Sequence, residues 1–215
     1  LTKANTLIVP ANFIPSHSQL EKMNRLYAEH KIEKGDSSFI FRTDNQPIAL
    51  YLKAEDIINP STADTLFLRR MLNDFAEMFA GAELSESMFI NFIWDAIYTN
   101  ERALVEDEYL FSAYKRFTGD DYQGVNAYNE SKIYLGENVK IEPNVFLNAE
   151  AGPIIIDDYS RIMANSVIVG PCYIGRRSTI KIGSKIYEKT SIGEHCKIGG
   201  EVENSIIQAY FCRFF

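Results

Sequence analysis

Cysteine and histidine are scarce in this chain, three of each among 215 residues, and no CxxC or HExxH spacing brings any of them together. The spacing that holds a structural zinc is therefore missing, and no metal site is expected. No uninterrupted apolar run reaches the ~18 residues of a membrane span, and no basic-then-apolar leader is visible in the sequence as it stands. A cytoplasmic location without membrane contact is the expectation. A basic excess is also missing: net charge is −7, residues 131–203 balance their acidic and basic side chains, and the acidity sits in the first 130 residues. Nucleic acid is accordingly not an expected partner. A hydrophobic content of 46% excludes a disordered chain and suits one or two domains with real cores.

What the chain does have is a period of six. Isoleucine recurs at 156, 162, 168, 174, 180, 186, 192 and 198, and four positions after each stands Ser160, Ser166, Cys172, Ser178, Ser184, Thr190, Cys196 or Val202. Six is neither the helical period nor that of a two-faced strand, so the chain must turn a corner once per repeat. This is the signature of a hexapeptide β-helix. Leu135, Ile141 and Leu147 begin the pattern, with Val139, Val145 and Ala151 in the small slot, before three extra residues around Pro153 shift the phase. Three hexads per coil would stack Ile156, Ile174 and Ile192 in one column, Ile162, Ile180 and Ile198 in a second, and Ile168 and Ile186 in a third. A single coil leaves its ends uncovered, so stacking is obligatory. Gly170, Gly175, Gly183, Gly193 and Gly199 fall where corners would need tight or positive-φ backbone. Cys172 and Cys196 take interior slots on different walls, as core packing rather than as a disulfide.

Residues 1–116 read as a separate α/β domain, and 117–130, rich in Gly, Asp and Asn, as a linker to about four coils over 131–215. Thr6–Val9 is a short apolar strand before Pro10, and Ser18 is a candidate cap for a helix through Leu20, Met23, Leu26 and Tyr27. The strands 38–42 and 47–52 flank a hairpin turn, Thr43-Asp44-Asn45-Gln46. Ser61 or Thr62 would cap a helix ended by Gly81, whose apolar face covers a sheet. A strand-like Ser87–Phe92 and a helical stretch over 94–114 follow.

Three segments carry a resemblance. They are Ile168-Val169-Gly170-Pro171, Ile182-Gly183-Ser184-Lys185-Ile186-Tyr187, and the run from Ile192 through Gly199-Gly200-Glu201-Val202 to Asn204-Ser205. Together they resemble the bacterial sugar-1-phosphate nucleotidylyltransferases whose C-terminal half is a left-handed parallel β-helix acyltransferase. Most similar is the Bacteroidetes-type variant of the bifunctional N-acetylglucosamine-1-phosphate uridyltransferase and hexosamine-1-phosphate acetyltransferase. Asn91-Phe92-Ile93-Trp94-Asp95 with Asn100 resembles the link into that β-helix, and Asn5–Pro15 a strand of its transferase domain. The resemblance implies an α/β nucleotidyltransferase-like domain followed by the β-helix and assembly as a homotrimer. It implies a sugar phosphate or sugar nucleotide as substrate, and acetyl-coenzyme A, or a nucleoside triphosphate with Mg2+, as donor.

The sequence departs from that pattern at both ends. No Gly-rich loop to cradle a triphosphate stands before Asn5, and the family's acetyltransfer histidine would lie beyond Gln208, where this chain reads Ala209-Tyr210-Phe211-Cys212-Arg213-Phe214-Phe215. The chain as it stands is expected to be incomplete and inactive in both transfers. A non-catalytic β-helix serving as oligomerisation scaffold or sugar-nucleotide binder is the alternative. Acetyl transfer to a sugar amine needs a base, oxyanion donors and cations for phosphate. Lys181 stands where the resemblance implies a sugar-phosphate cation, with Arg177, Arg176, Lys185 and Lys189 adding charge. His195 is the candidate base. Glu201 and Asn204 mark a break of register, the kind of place where a solenoid inserts a loop lining a site. Asp95 and Asn100 read as a helix end and a polar helix face.

Overall fold

The structure is a computed structural model that describes residues 6–9, 12–44, 46–53, 74, 78–85 and 87–213. It divides into two compact units, Leu1–Asn91 and Phe92–Phe215.

The first unit contains β1 (Thr6–Ile8), β2 (Phe13–Ile14), α1 (His17–Lys34), β3 (Phe39–Thr43), β4 (Gln46–Leu52), β5 (Gly81–Glu83) and β6 (Met88–Phe89). The main sheet runs β1-β4-β3-β5, antiparallel except for the β3/β5 pair. The expected hairpin is present, and Asp44 takes the left-handed turn conformation, φ 47°, that Asp tolerates. The helix cap is Ser16 rather than Ser18. Ser16 Oγ accepts from Gln19 N at 3.2 Å while Gln19 Oε1 accepts from Ser16 N at 3.0 Å, a reciprocal capping box that starts the helix at His17 and leaves Ser18 inside its first turn. Met23 on α1 packs with Phe39, Phe41, Ile48 and Ala49, and Ile40, Leu50 and Leu52 form a separate cluster. The helix expected between Ser61 and Gly81 falls almost wholly outside the described residues.

The second unit is a β-solenoid of about five turns. Its walls are three sheets of short parallel strands. The first wall stacks Lys140–Ile141, Arg161–Ile162, Thr179–Ile180, Lys197–Ile198 and Cys212–Arg213. The second stacks Asn126–Tyr128, Phe146–Asn148, Val167–Val169, Lys185–Ile186 and Glu201–Val202. The third stacks Ile133–Leu135, Ile154–Ile156, Cys172–Ile174, Thr190–Ile192 and Ile206–Ile207. The isoleucine columns follow the six-residue arithmetic. Ile156 aligns with Ile174 and Ile192, Ile162 with Ile180 and Ile198, and Ile168 with Ile186. All eight are fully buried, each contributing about 1.5–3 kcal/mol. The extra turn beyond the four expected comes from Asn126–Tyr128, a wall strand inside the segment that composition marks as a linker.

Three details differ from the repeat read off the sequence. Ala151 is exposed, and Ile154 takes the interior slot instead, aligned between Ile133 and Cys172, because the three-residue insertion delays the turn. Val202 pairs with Ile186 and so fills an isoleucine position two residues early; the register break is a shortened coil, not an inserted loop. The left-handed corner conformation falls mostly on non-glycine residues: Asn138, Tyr159, Arg177 and His195 at one corner, Asn144 and Asn165 at another, Lys189 and Asn204 at the third. Of the five glycines expected at corners only Gly183 has positive φ, at 70°. Gly175 and Gly193 are needed because the next coil passes too close for a Cβ.

Helix α2 (Asp95–Glu106) belongs to this second unit and lies on the third wall. Asn100, expected on a polar helix face, is buried: its Nδ2 donates to Lys189 O at 2.7 Å and its Oδ1 accepts from Ser191 Oγ at 2.7 Å. Lys189 Nζ meets Glu101 Oε2 at 2.8 Å on the exposed rim. Asn100→Ala is expected to destabilise this unit by about 1–3 kcal/mol, since it leaves a buried carbonyl and a hydroxyl unpaired. Glu101→Ala should change stability by less than about 1 kcal/mol. Urea unfolding of the two variants checks the ranking, and equal losses would contradict it.

Candidate functional site

A line of polar and aromatic side chains runs along the first corner, where the third wall turns into the first. One residue per coil takes the left-handed conformation there: Asn138, Tyr159, Arg177, His195 and Tyr210, with φ between 54° and 63°. Backbone bonds between coils hold this line in place, Arg177 N donating to Asp158 O at 2.8 Å and His195 N to Arg176 O at 2.8 Å. Side chains on successive corners therefore stack. The His195 and Tyr210 rings are parallel within 7° at 5.0 Å, and the guanidinium carbons of Arg176 and Arg177 each stand 5.7 Å from the Tyr159 ring centre. Tyr210 Oη donates to Glu194 Oε1 at 3.3 Å.

Just before this corner Asp157 collects three donors. Tyr114 Oη and Tyr173 Oη each donate at 2.8 Å, one to each carboxylate oxygen, and Asp158 N donates at 2.7 Å. Burial, then the Asp157 bond, pushes both phenols well above the ordinary tyrosine range, so they stay protonated donors. Tyr134, covered and bonded to Glu108, is pushed up to about 12 by the same two causes in the same order. Two open clefts flank the corner. One of about 690 Å³ is lined by Tyr114, Lys115, Tyr122, Glu137, Asn138 and Asp158 among others; one of about 510 Å³ is lined by Asn138, Lys140, Tyr159, Ser160, Arg161 and Thr179. Asn138 borders both.

The residues singled out from sequence do not converge on one point. Arg177 and His195 share the first corner on adjacent coils. Lys181 follows the first-wall strand Thr179–Ile180, toward the second corner. Glu201 is on the second wall, ion-paired with Lys185 beside it in register. Asn204 sits at the third corner, its backbone N donating to Glu188 O at 3.2 Å. Tyr159, Tyr210, Asp157 and Tyr114 escaped the sequence reading. The signal for the first two was available, since Tyr159 stands one full coil before Arg177 and counting outward positions by coil would have aligned them. Cys172 and Cys196 are buried free thiols on different walls, and burial pushes the Cys172 thiol up to about 12. Among the described residues no group of three or more His, Cys, Asp and Glu side chains is placed to hold a metal ion, and no helix is long and apolar enough to cross a membrane.

His195 holds its corner at a backbone φ of 54°, a conformation that costs most residues energy and that Asn adopts readily. His195→Asn is therefore expected to leave stability unchanged within about 1 kcal/mol, the Asn preference offsetting the lost stack on Tyr210. A thermal melt checks it, and a loss well beyond that would show the imidazole to be a structural post.

No family model matches the chain, and no curated protein matches it either.

Proposed function

We propose that this chain is part of a sugar-nucleotide biosynthetic transferase, of the sugar-1-phosphate nucleotidylyltransferase kind that carries a left-handed β-helix acyltransferase half. Its substrate class is then a sugar phosphate or sugar nucleotide, and its donor acetyl-coenzyme A or a nucleoside triphosphate with Mg2+. The observation that supports the reading is the first corner, where Arg177 and His195 stand on adjacent coils beside the exposed rings of Tyr159 and Tyr210, with Tyr159 lining the cleft next to them. A phosphorylated sugar calls for that combination: a cation for the phosphate, polar side chains and flat rings for the sugar, and an imidazole able to take a proton. Among the described residues no group of three or more acidic, His or Cys side chains is placed to hold a metal, so the triphosphate and water would supply most of the Mg2+ ligands.

Isothermal titration with glucosamine 1-phosphate, glucose 1-phosphate and glucose tests the reading on binding alone. The two phosphates should bind and glucose should not, and Arg177→Ala should weaken the phosphates about tenfold. Equal affinity for glucose and its phosphate would overturn it.

The second wall favours an accompanying scaffold role. Its outward positions include Phe146, Val167, Val169 and Tyr187, half-buried, with Tyr128 53% exposed. A flat apolar wall gains by packing on copies of itself, and a closed trimer leaves no such wall uncovered. Light scattering on wild type and Val169→Asp should show a trimer and its dissociation. A wild-type species of monomer mass at micromolar concentration would remove the scaffold reading and leave the binding test untouched.

A further inference from the structure

The three walls of the solenoid carry three different chemistries. The third is covered by the chain itself: Ile155 and Tyr134 are 1% and 5% exposed, and Asn100, Phe111 and Tyr114 lie against it. The second carries an apolar patch of Phe146, Val167, Val169 and Tyr187 beside the Lys185–Glu201 ion pair. The first is neither covered nor apolar. Its outward column reads Lys140, Arg161, Thr179, Lys197 in strand register, with all three cations exposed. We propose that this first wall, together with Tyr159 at its rim, binds a ligand carrying a diphosphate, with the ligand's ring stacked on Tyr159.

Four observations carry the assignment. The cleft of about 510 Å³ brings Lys140, Arg161, Thr179 and Tyr159 to one concavity, so the cations have a shaped site beside them and not only a flat face. Coils repeat at about 4.8 Å, which places cationic side chains at intervals able to bracket two linked phosphates. Charge balance is one-sided: Glu142 is already bound by Ala164 N at 2.9 Å and by Arg161, Nε to Oε1 at 2.8 Å, and these bonds, Ala164's first, hold its carboxyl below the ordinary range. Among the described residues no carboxylate pairs with Lys140 or Lys197. Arg161, fixed by Glu142 through one edge of its guanidinium, keeps further N–H donors for an anion. Tyr159, 46% exposed at the cleft mouth, offers the flat ring.

The run is short, about 14 Å over three coil intervals, on a chain of net charge −7. A nucleic-acid backbone needs a longer basic track than this, so a small ligand is the fitting occupant. The site adjoins the first corner and shares Tyr159 with it, Arg176 and Arg177 each standing 5.7 Å from that ring. Its cations Lys140, Arg161 and Lys197 are separate from Arg177 and His195, so their substitution tests it apart from the sugar-phosphate reading.

Isothermal titration of the full chain at low salt, with inorganic pyrophosphate, adenosine diphosphate and uridine diphosphate, tests it. Wild type should bind all three saturably, the nucleotides more tightly than pyrophosphate. Lys140→Ala and Lys197→Ala should each weaken all three about tenfold. Tyr159→Asn, which suits the left-handed backbone there, should weaken the nucleotides and spare pyrophosphate. Lys31→Ala, removing an exposed cation of the first unit, should change nothing. Absence of saturable binding by protein whose melting curve shows it folded would overturn the proposal. So would equal weakening by Lys31→Ala, unchanged affinity in Lys140→Ala, or a Tyr159→Asn loss as large for pyrophosphate as for the nucleotides.

Discussion

Gly175→Ala is expected to destabilise the solenoid by about 3 kcal/mol, at the upper end of what overpacking costs. A Cβ built on Gly175 would stand 2.6 Å from Gly193 C and 2.8 Å from Glu194 N; one on Gly193 would stand 2.5 Å from Ala209 N. The obstructing atoms are backbone, so no rotamer change relieves the clash. Nor can the coils simply part. Gly175 N donates to Ile192 O at 2.8 Å and Gly193 N to Ile207 O at 2.8 Å, within ladders that run the length of the third wall. Neither glycine has positive φ, so the effect isolates close approach from backbone strain. Gly183→Asn is the matched control: its φ of 70° suits Asn and nothing stands within 4 Å, so the change should stay below about 1 kcal/mol. At about 2–4 °C per kcal/mol for a chain of this size, the difference is readily seen in a thermal melt. A Gly175→Ala protein melting with wild type would mean the coils can separate locally, and the tight stack would have to be abandoned.

Ser178→Ala comes next in size. The side chain is fully buried between two coils, its Oγ donating to Gly193 O at 2.8 Å and accepting from Cys196 N at 2.9 Å. Removing it leaves a buried carbonyl and a buried amide unpaired, each costing about 1–3 kcal/mol. The same device recurs along the interior: Ser160 Oγ donates to Gly175 O at 2.9 Å and Ser166 Oγ to Lys181 O at 2.9 Å. One coil beyond Ser178, Cys196 fills the slot, with its Sγ 3.1 Å from Gln208 O. Ser178→Cys should accordingly retain part of what Ser178→Ala loses, while Ser184→Ala, which breaks only a local bond to Lys181 O at 2.7 Å, should lose least. Denaturant midpoints in the order Ser184→Ala, Ser178→Cys, Ser178→Ala would bear this out. A Ser178→Ala midpoint equal to wild type would show that water or a shifted backbone satisfies both groups.

Sequence alone determined the interior of the second unit. The isoleucine columns, the small buried slots and the separation of Cys172 from Cys196 all follow from a six-residue period, because an inward position in a solenoid depends only on its count along the chain. It also marked Arg177 and His195, which do share a corner. It failed where the count changes: at Ala151, displaced by Ile154 after the insertion, and at Val202, which arrives early in a shortened coil. Composition misled over 117–130, since Gly, Asp and Asn suit solenoid corners as well as linkers. What only the tertiary structure decided was the outside. Asn100 became a buried clamp through Lys189 and Ser191, Asp157 drew in Tyr114 and Tyr173, and Tyr159 and Tyr210 joined the cations of the first corner. Each of these pairings joins neighbouring coils, or joins a segment outside the coils to a wall. The physical reason is that outward side chains carry no periodic constraint: their partners are set by which coils stack and which segment folds back over them, and neither is written in the period of six.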